Sequence, residues 1–360
     1  MTADVDLAGE RRDFELQLSE PLSTAAGGVE TREGTLLWVR DSGDATAPVG
    51  VGEATPLAGW TEPVDACRNA LDAALDRLET DGPEVALAGM EDTPAARHGL
   101  SLALLDHEAR AAGDPLHRHL RNGDGHREDD RGVASIPVNA TAGDGRIMET
   151  VRAALEAVRA GFGTLKVKVG AREIAGDAGR LEAIRSEVSE DLQLRVDANG
   201  AWSRGDARLA IDAFPDLEYV EQPLDPDDLD GHADLRDRAE IALDETLRDH
   251  SIAEVADASA ADVVVLKPMV LGGVDRAWTA AERARAAGID PVVTTTVDGA
   301  VARTAAVHLA AALGVERACG LATADRIETD LAPDPTEGSE GRISVPQTAG
   351  NGVSVEWTAE

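Results

Sequence analysis

Apolar positions change their rhythm about a third of the way along the chain. Alternating runs at FELQL (Phe14 to Leu18) and TLLWVR (Thr35 to Arg40) read as strands, followed by the turn-rich VGEATPLAGWTEP (Val51 to Pro63). VDACRNALDAALDRLE (Val64 to Glu79) and ARHGLSLALLDHEARAAG (Ala96 to Gly113) then carry apolar residues at helical spacing. Strands followed by helices predict a separate α+β unit, and the polar stretch RNGDGHREDDRG (Arg121 to Gly132) predicts a linker at its end.

From Ser135 onward short apolar runs alternate with helices rich in Ala, Arg and Glu. SIPVNA, TLKVKVG, LQLRVDAN, EYVEQPL, EIALDET, ADVVVLKP, DPVVTTTV and ACGLAT supply eight candidate strands. Parallel strands with crossover helices follow from that alternation, and eight such units close into a barrel. An open doubly wound sheet is the alternative, but no GxGxxG or GxxxxGK[ST] follows an early strand to support a nucleotide site. The tail from Arg326 contains ISVPQ and GVSVEW, read as two short strands returning to the first unit. The expected fold is therefore α/β: a modified (β/α) barrel of TIM type over 133–325. Its α+β capping domain is formed by the N-terminal segment 1–132 and the C-terminal tail 326–360.

Charge narrows the function. Sixty-eight acidic against 34 basic residues give a net charge of −34, which disfavours nucleic acid as a partner. Loss of lysine in favour of Asp and Glu predicts a salt-adapted protein with a solvated acidic surface. Cys67 and Cys319 form no zinc or disulfide pattern, and a reducing compartment is expected. The N-terminus has no apolar signal core and no run approaches a bilayer span, so a cytoplasmic protein without a membrane partner is expected. His117 and His119 in PLHRHL have no nearby third ligand and are expected at the surface, while His308 is expected to be packed or solvated.

Only three of the basic residues are lysines, Lys166, Lys168 and Lys267, against thirty-one arginines. Arginine stays protonated under working conditions, whereas lysine can serve as a proton-transfer base. Lys166 and Lys168 alternate in one run and so share a face. Lys168, Asp197, Glu221, Asp244 and Lys267 follow one another at intervals of 29, 24, 23 and 23 residues. One βα unit has about that length, so each side chain should reach the C-terminal mouth of a successive strand, where barrel active sites are built. Asp197, Glu221 and Asp244 together suit a hard cation, Mg²⁺ with Mn²⁺ as a substitute. A lysine beside a small-molecule carboxylate substrate held there points to proton abstraction next to that carboxylate.

The motifs KVK, VDANGAW, VEQPL, LDET and LKPMVLGG resemble the enolase superfamily, muconate-lactonizing-enzyme subgroup, over nearly the whole chain. SIPVNAT, PLAGWTE, TTTVDGAVA and GLATAD are similar to the o-succinylbenzoate synthases within it. The resemblance implies that Lys168 is the base and then the acid, that Lys166 tunes it, and that Lys267 stabilises an enolate from the other face. It implies Asp197, Glu221 and Asp244 as metal ligands, supported by Asn199 and Glu245. It also points to Thr294, Thr295 and Thr296 as substrate contacts, with Gly273 and Trp60 as further candidates. Asp298 departs from the pattern, where many synthases carry Glu. Racemisation or epimerisation of an N-acylamino acid or dipeptide, muconate cycloisomerisation and a non-catalytic scaffold are the alternatives, and a homo-oligomer is left open. The dipeptide epimerases carry DxD after strand eight, where this chain reads Thr323-Ala324-Asp325.

Overall fold

The computed structural model describes residues 6–24, 27–44, 46–123 and 133–355. An antiparallel sheet of β1 (Leu7–Thr24), β2 (Gly27–Asp41) and β3 (Gly50–Ala54) opens the chain, with a register shift in β1 between Gln17 and Leu22. The FELQL and TLLWVR runs are the centres of these longer strands. Helices α1 (Val64–Asp81), α2 (Pro83–Ala88), α3 (Pro94–Ala112) and α4 (Leu116–Gly123) follow. Helix α3 lies directly on β3 because Gly52 and Gly99 meet there; a Cβ on Gly52 would strike the Gly99 carbonyl. The expected linker beyond Gly123, residues 124–132, lies outside the described residues.

The barrel then assembles unit by unit. Its elements are β4 (Ser135–Pro137), β5 (Ala140–Ala142), α5 (Ile147–Arg159), β6 (Thr164–Lys168), α6 (Ile174–Glu187), β7 (Gln193–Asp197) and α7 (Arg204–Ala213). They continue with β8 (Tyr219–Glu221), α8 (Leu229–Leu235), β9 (Ile241–Leu243), α9 (Ile252–Asp257), β10 (Val263–Leu266), α10 (Pro268–Leu271), α11 (Val274–Ala286), β11 (Asp290–Val293) and α12 (Ala300–Leu313). Strands β5 to β11 pair in sequence order as one parallel sheet. The α/β barrel read from the sequence is thus present, and the open doubly wound alternative is not.

Two of its eight strands are shorter than predicted. SIPVNA splits into β4 and β5, and ACGLAT forms only single bridges at Cys319 and Gly320. Those two residues still close the barrel. The Cys319 N–H donates to Pro137 O and its carbonyl accepts from Asn139 N, while Gly320 N–H donates to Val293 O. Below the mouth, Arg195 is fully buried, bonded to Ala318 O at 2.6 Å and Glu218 Oε2 at 2.7 Å, with its guanidinium over the Tyr219 ring. Buried hydrogen bonds and the ring face satisfy the charge there.

In the tail, β12 (Gly338–Ser339) pairs with β13 (Arg342–Ser344), which pairs with β4 at the foot of the barrel. ISVPQ therefore strands against the barrel rather than the capping sheet, and GVSVEW forms no strand over 352–355, its last two residues lying outside the described ones. Contacts to the N-terminal unit come from Ile327 opposite Leu18, Gly350 opposite Pro115, and Val355 O accepting from Trp38.

Helix α12 is buried along its whole length. Its sequence AVARTAAVHLAAAL is apolar on nearly every side, as a helix enclosed between layers must be. It packs against α4, α3, β3 and β11, which makes it the wall between cap and barrel. This explains His117, which is buried and not at the surface: its ring stacks on His308 of α12 at 5.4 Å between centroids. The His117 backbone N–H donates to His308 Nδ1, so His308 Nε2 carries the proton bonded to Asn351 O. Burial pushes both imidazoles down, to about 4 for His117 and about 3 for His308, and keeps them neutral. His119 is half-exposed beside Glu108. Among the described residues no helix is long and apolar enough to cross a membrane.

Candidate active site

Lys168, Asp197 and Glu221 are the last residues of β6, β7 and β8; Asp244 and Lys267 come one residue after β9 and β10. Register pairs Lys168 with Asp197 and Asp197 with Glu221, so the side chains emerge side by side at one rim. Lys168 Nζ donates to Asp197 Oδ2 at 2.7 Å and to Asn199 Oδ1 at 2.8 Å. Lys166 Nζ bridges Glu221, at 2.9 and 3.1 Å, and Asp197 at 3.1 Å. Lys267 Nζ donates to Asp244 Oδ2 at 2.6 Å and lies 3.4 Å from the centre of the Trp60 ring. Trp60 reaches the barrel from a capping turn in which its N–H donates to Leu57 O; Arg248 of the barrel holds that turn through Gly59 O.

Charge at the rim is unevenly balanced. Burial would push Asp197 up, but Lys166 and Lys168 overcome it and hold this carboxyl far below the usual range. Burial and then Asp197 push Glu221 up to about 7, against the pull of Lys166. Burial likewise pushes Asp244 up to about 6 despite Lys267. Burial opposes the Lys166 ammonium, but Glu221 and Asp197 raise it well above the ordinary lysine value. Lys166 is thus a fixed positive charge. At Glu221 and Asp244 burial outweighs the pull of the neighbouring lysines.

Second-layer contacts fix the geometry. Asn199 adopts a left-handed φ of 46°, tolerated by Asn because its short amide bonds locally. Its Nδ2 donates to Glu245 Oε1 at 2.8 Å, so one amide joins Lys168 to Glu245. Gln222 was not singled out by sequence, yet it is fully buried with φ at 39°. Its Oε1 accepts from the backbone of Asp244 and Thr246, and its Nε2 donates to Leu224 O and Thr246 Oγ1. It ties the ends of β8 and β9 together, which sets Glu221 against Asp244. A polar residue before Pro223 was the only available signal.

The threonine run lies directly after β11. Thr294 Oγ1 donates to Gly320 O, Thr296 Oγ1 donates to Asp298 at 2.5 Å, and Thr295 Oγ1 faces Thr323 Oγ1 at 3.4 Å. Gly273 follows α10, its N–H donating to Pro268 O beside Lys267; its neighbours are Asp275, Arg97 and Ser101, and any Cβ there would strike Asp275. Among the described residues no three His, Cys, Asp or Glu side chains form a ready-made metal site, because ammonium groups bridge the carboxylates. The donor set still suits Mg²⁺. All its atoms are hard oxygens, and Asp244 Oδ1 and Glu245 Oε2 are buried without a hydrogen-bond partner.

Comparison with known proteins places this rim in a family. Residues 149–359 match the family described as enolase C-terminal domain-like. The chain is 40% identical over 210 residues to an o-succinylbenzoate synthase of Thermobifida fusca, a match covering 56% of this chain and 63% of that protein. It is 30% identical over 352 residues to the L-Ala-D/L-Glu epimerase of Bacillus subtilis, covering 93% of each. The substrate-liganded structure of that epimerase superposes with a TM-score of 0.84 at 28% identity, over 96% of this chain and 98% of that one. A dipeptide epimerase from Enterococcus faecalis V583, complexed with Mg and L-Leu-L-Tyr, gives a TM-score of 0.84 at 26% identity, over 97% and 99%. Members of the family are enzymes that bind Mg²⁺. The chain belongs to the enolase superfamily.

Proposed function

We propose that this protein is an o-succinylbenzoate synthase, removing water from 2-succinyl-6-hydroxy-2,4-cyclohexadiene-1-carboxylate in menaquinone biosynthesis. The unequal setting of Lys168 and Lys267 carries the reading. Lys267 Nζ is pinned between Asp244 and the face of Trp60, a geometry that suits a standing positive charge. Lys168 is the more open of the two, with 36% of its side chain exposed against 11% for Lys267.

Lys168 Nζ, entering as the free amine, takes the proton from the carbon beside the substrate carboxylate. Asn199 and Asp197 orient it. The Lys267 ammonium faces the enediolate as negative charge grows on it. Lys168 then returns the proton to the neighbouring ring hydroxyl, the carbon–oxygen bond breaks, and water and the aromatic 2-succinylbenzoate result. Asp197, Glu221 and Asp244 would hold Mg²⁺, which when bound supplies further positive charge against the substrate carboxylate.

A second reading, epimerisation of a dipeptide or N-acylamino acid, is favoured by the near-full-length likeness to the B. subtilis epimerase. Against it stands the sequence after the eighth strand, which reads Thr323-Ala324-Asp325 where the resemblance associates DxD with dipeptide epimerases. Purified protein given the cyclohexadiene acid with Mg²⁺ should yield 2-succinylbenzoate at a kcat/KM at least about tenfold above that for L-Ala-D-Glu epimerisation, each tenfold being about 1.4 kcal/mol of transition-state preference. Equal or reversed preference would replace the first reading by the second.

We also propose that the chain is salt-adapted, on the strength of its −34 charge. The melting temperature should rise as KCl goes from about 0.1 M to about 1 M, where the Debye length shrinks from about 10 Å to about 3 Å and self-repulsion is screened. A melting temperature indifferent to salt would refute the adaptation.

A further inference from the structure

The threonine loop is held from the cap by two buried charged residues with no place in the chemistry above. Glu53, at 0% exposure on β3, accepts from Gly299 N at 2.7 Å, from Ala302 N at 2.9 Å and from Thr55 Oγ1. It therefore satisfies the first turn of α12 across the domain boundary, where a carboxylate also complements the helix dipole. Asp330 takes the Ala300 N–H beside it. Arg32, on β2 and 2% exposed, donates to Thr55 O and Pro56 O, reaches Thr296 Oγ1 and Val297 O at 3.4 Å, and lies 3.8 Å from Asp298.

Between those two anchors the backbone is strained. Val297 has φ at +62°, a conformation in which a β-branched residue is an outlier and which persists only when its surroundings impose it. Residues 294–296, on the N-terminal side of this kink, carry the hydroxyls. Asp298 folds back onto Thr296 from the other side. Arg32 and Glu53 reach this loop from β2 and β3 of the capping domain, while Thr295, Asp298 and Arg303 brace it from within the barrel.

We propose that Arg32 and Glu53 are positioning residues: they clamp the loop after β11 in a strained conformation, so that the substrate-contacting threonines are in place only while cap and barrel are docked. The inference rests on reading Thr294–Thr296 as substrate contacts. Glu53→Gln keeps the shape but turns an amide N–H₂ toward a backbone N–H that needs an acceptor. Arg32→Lys keeps the charge but cannot span four acceptors.

Two measurements on the full chain decide it. Hydrogen–deuterium exchange reads the loop without any substrate: both variants should exchange faster at amides 296–303, while β6 to β8 stay as protected as in wild type. KM is read with whichever compound the wild type turns over, the cyclohexadiene acid or L-Ala-D-Glu. It should rise roughly 10- to 100-fold with kcat little changed, the signature of lost binding geometry. Adding Val297→Gly to either variant should restore KM, because glycine takes a positive φ unaided. A merely structural role would lower the melting temperature without that rescue. Unchanged exchange at 296–303 in both variants overturns the clamp. Faster exchange with unaltered KM, or a raised KM that Val297→Gly leaves raised, overturns the positioning role. Turnover of the dipeptide alone overturns the synthase reading, and the clamp is then judged by the same two readouts.

Discussion

Lys168→Ala is expected to lose turnover and, together with it, exchange of the substrate's α-proton with deuterated solvent. Lys168 Nζ is the amine at the rim that is both partly open and aimed by two partners, Asp197 and Asn199. Lys166 cannot replace it: its ammonium is buried between Glu221 and Asp197, which hold its proton. A positioned general base contributes roughly 10²- to 10⁴-fold, and on the proposed mechanism the same group also delivers the proton to the leaving hydroxyl, so the loss should lie at or beyond the upper end. Solvent exchange followed by NMR checks the first step alone. Exchange at the wild-type rate in Lys168→Ala would remove Lys168 from the proton path.

Glu221→Gln should remove metal binding and activity while the chain stays folded. Glu221 is the middle carboxylate of three, with its oxygens on Lys166 and its neighbours Asp197 and Asp244 both repelling it. Neutralising it leaves too little negative charge to hold a divalent cation. Loss of an outer-layer partner typically costs 10- to 100-fold in metal affinity, and loss of a direct ligand should cost at least about 100-fold. Mn²⁺ titration followed by electron paramagnetic resonance gives the affinity, and circular dichroism in high salt gives the fold. In wild type, EDTA should abolish turnover and Mg²⁺ should restore it. Tight Mn²⁺ binding by Glu221→Gln would dismiss this carboxylate as a ligand.

The barrel could be read from the chain because each βα unit repeats a physical rule: a buried strand, a turn, an amphipathic helix. Spacing of the charged strand ends was legible for the same reason, since one unit fixes the interval between Asp197, Glu221, Asp244 and Lys267. What escaped depends on contacts that no local pattern encodes. ACGLAT is reduced to two bridging residues, with Gly320 pressed against Thr294, and such a closure needs the finished barrel. His117 looks like a surface residue in a polar helix and becomes buried only when α12 arrives 191 positions later. Gln222, Arg32 and Glu53 earn their roles through partners on other elements; Glu53 meets Gly299 across 246 residues. Buried polar residues of this kind read as ordinary surface charges until the fold supplies their partners.

In the proposed mechanism one lysine moves the proton and the other holds charge. Lys267→Arg tests it most directly, by measuring kcat/KM for dehydration beside Lys168→Arg. Arginine keeps a positive charge but cannot act as a base at any accessible pH. Lys267→Arg is expected to retain measurable dehydration, reduced because the larger guanidinium must fit between Trp60 and Asp244, while Lys168→Arg retains none. Complete loss in both variants, with both folded and binding Mn²⁺, would mean that each face needs a base and would contradict the one-base elimination.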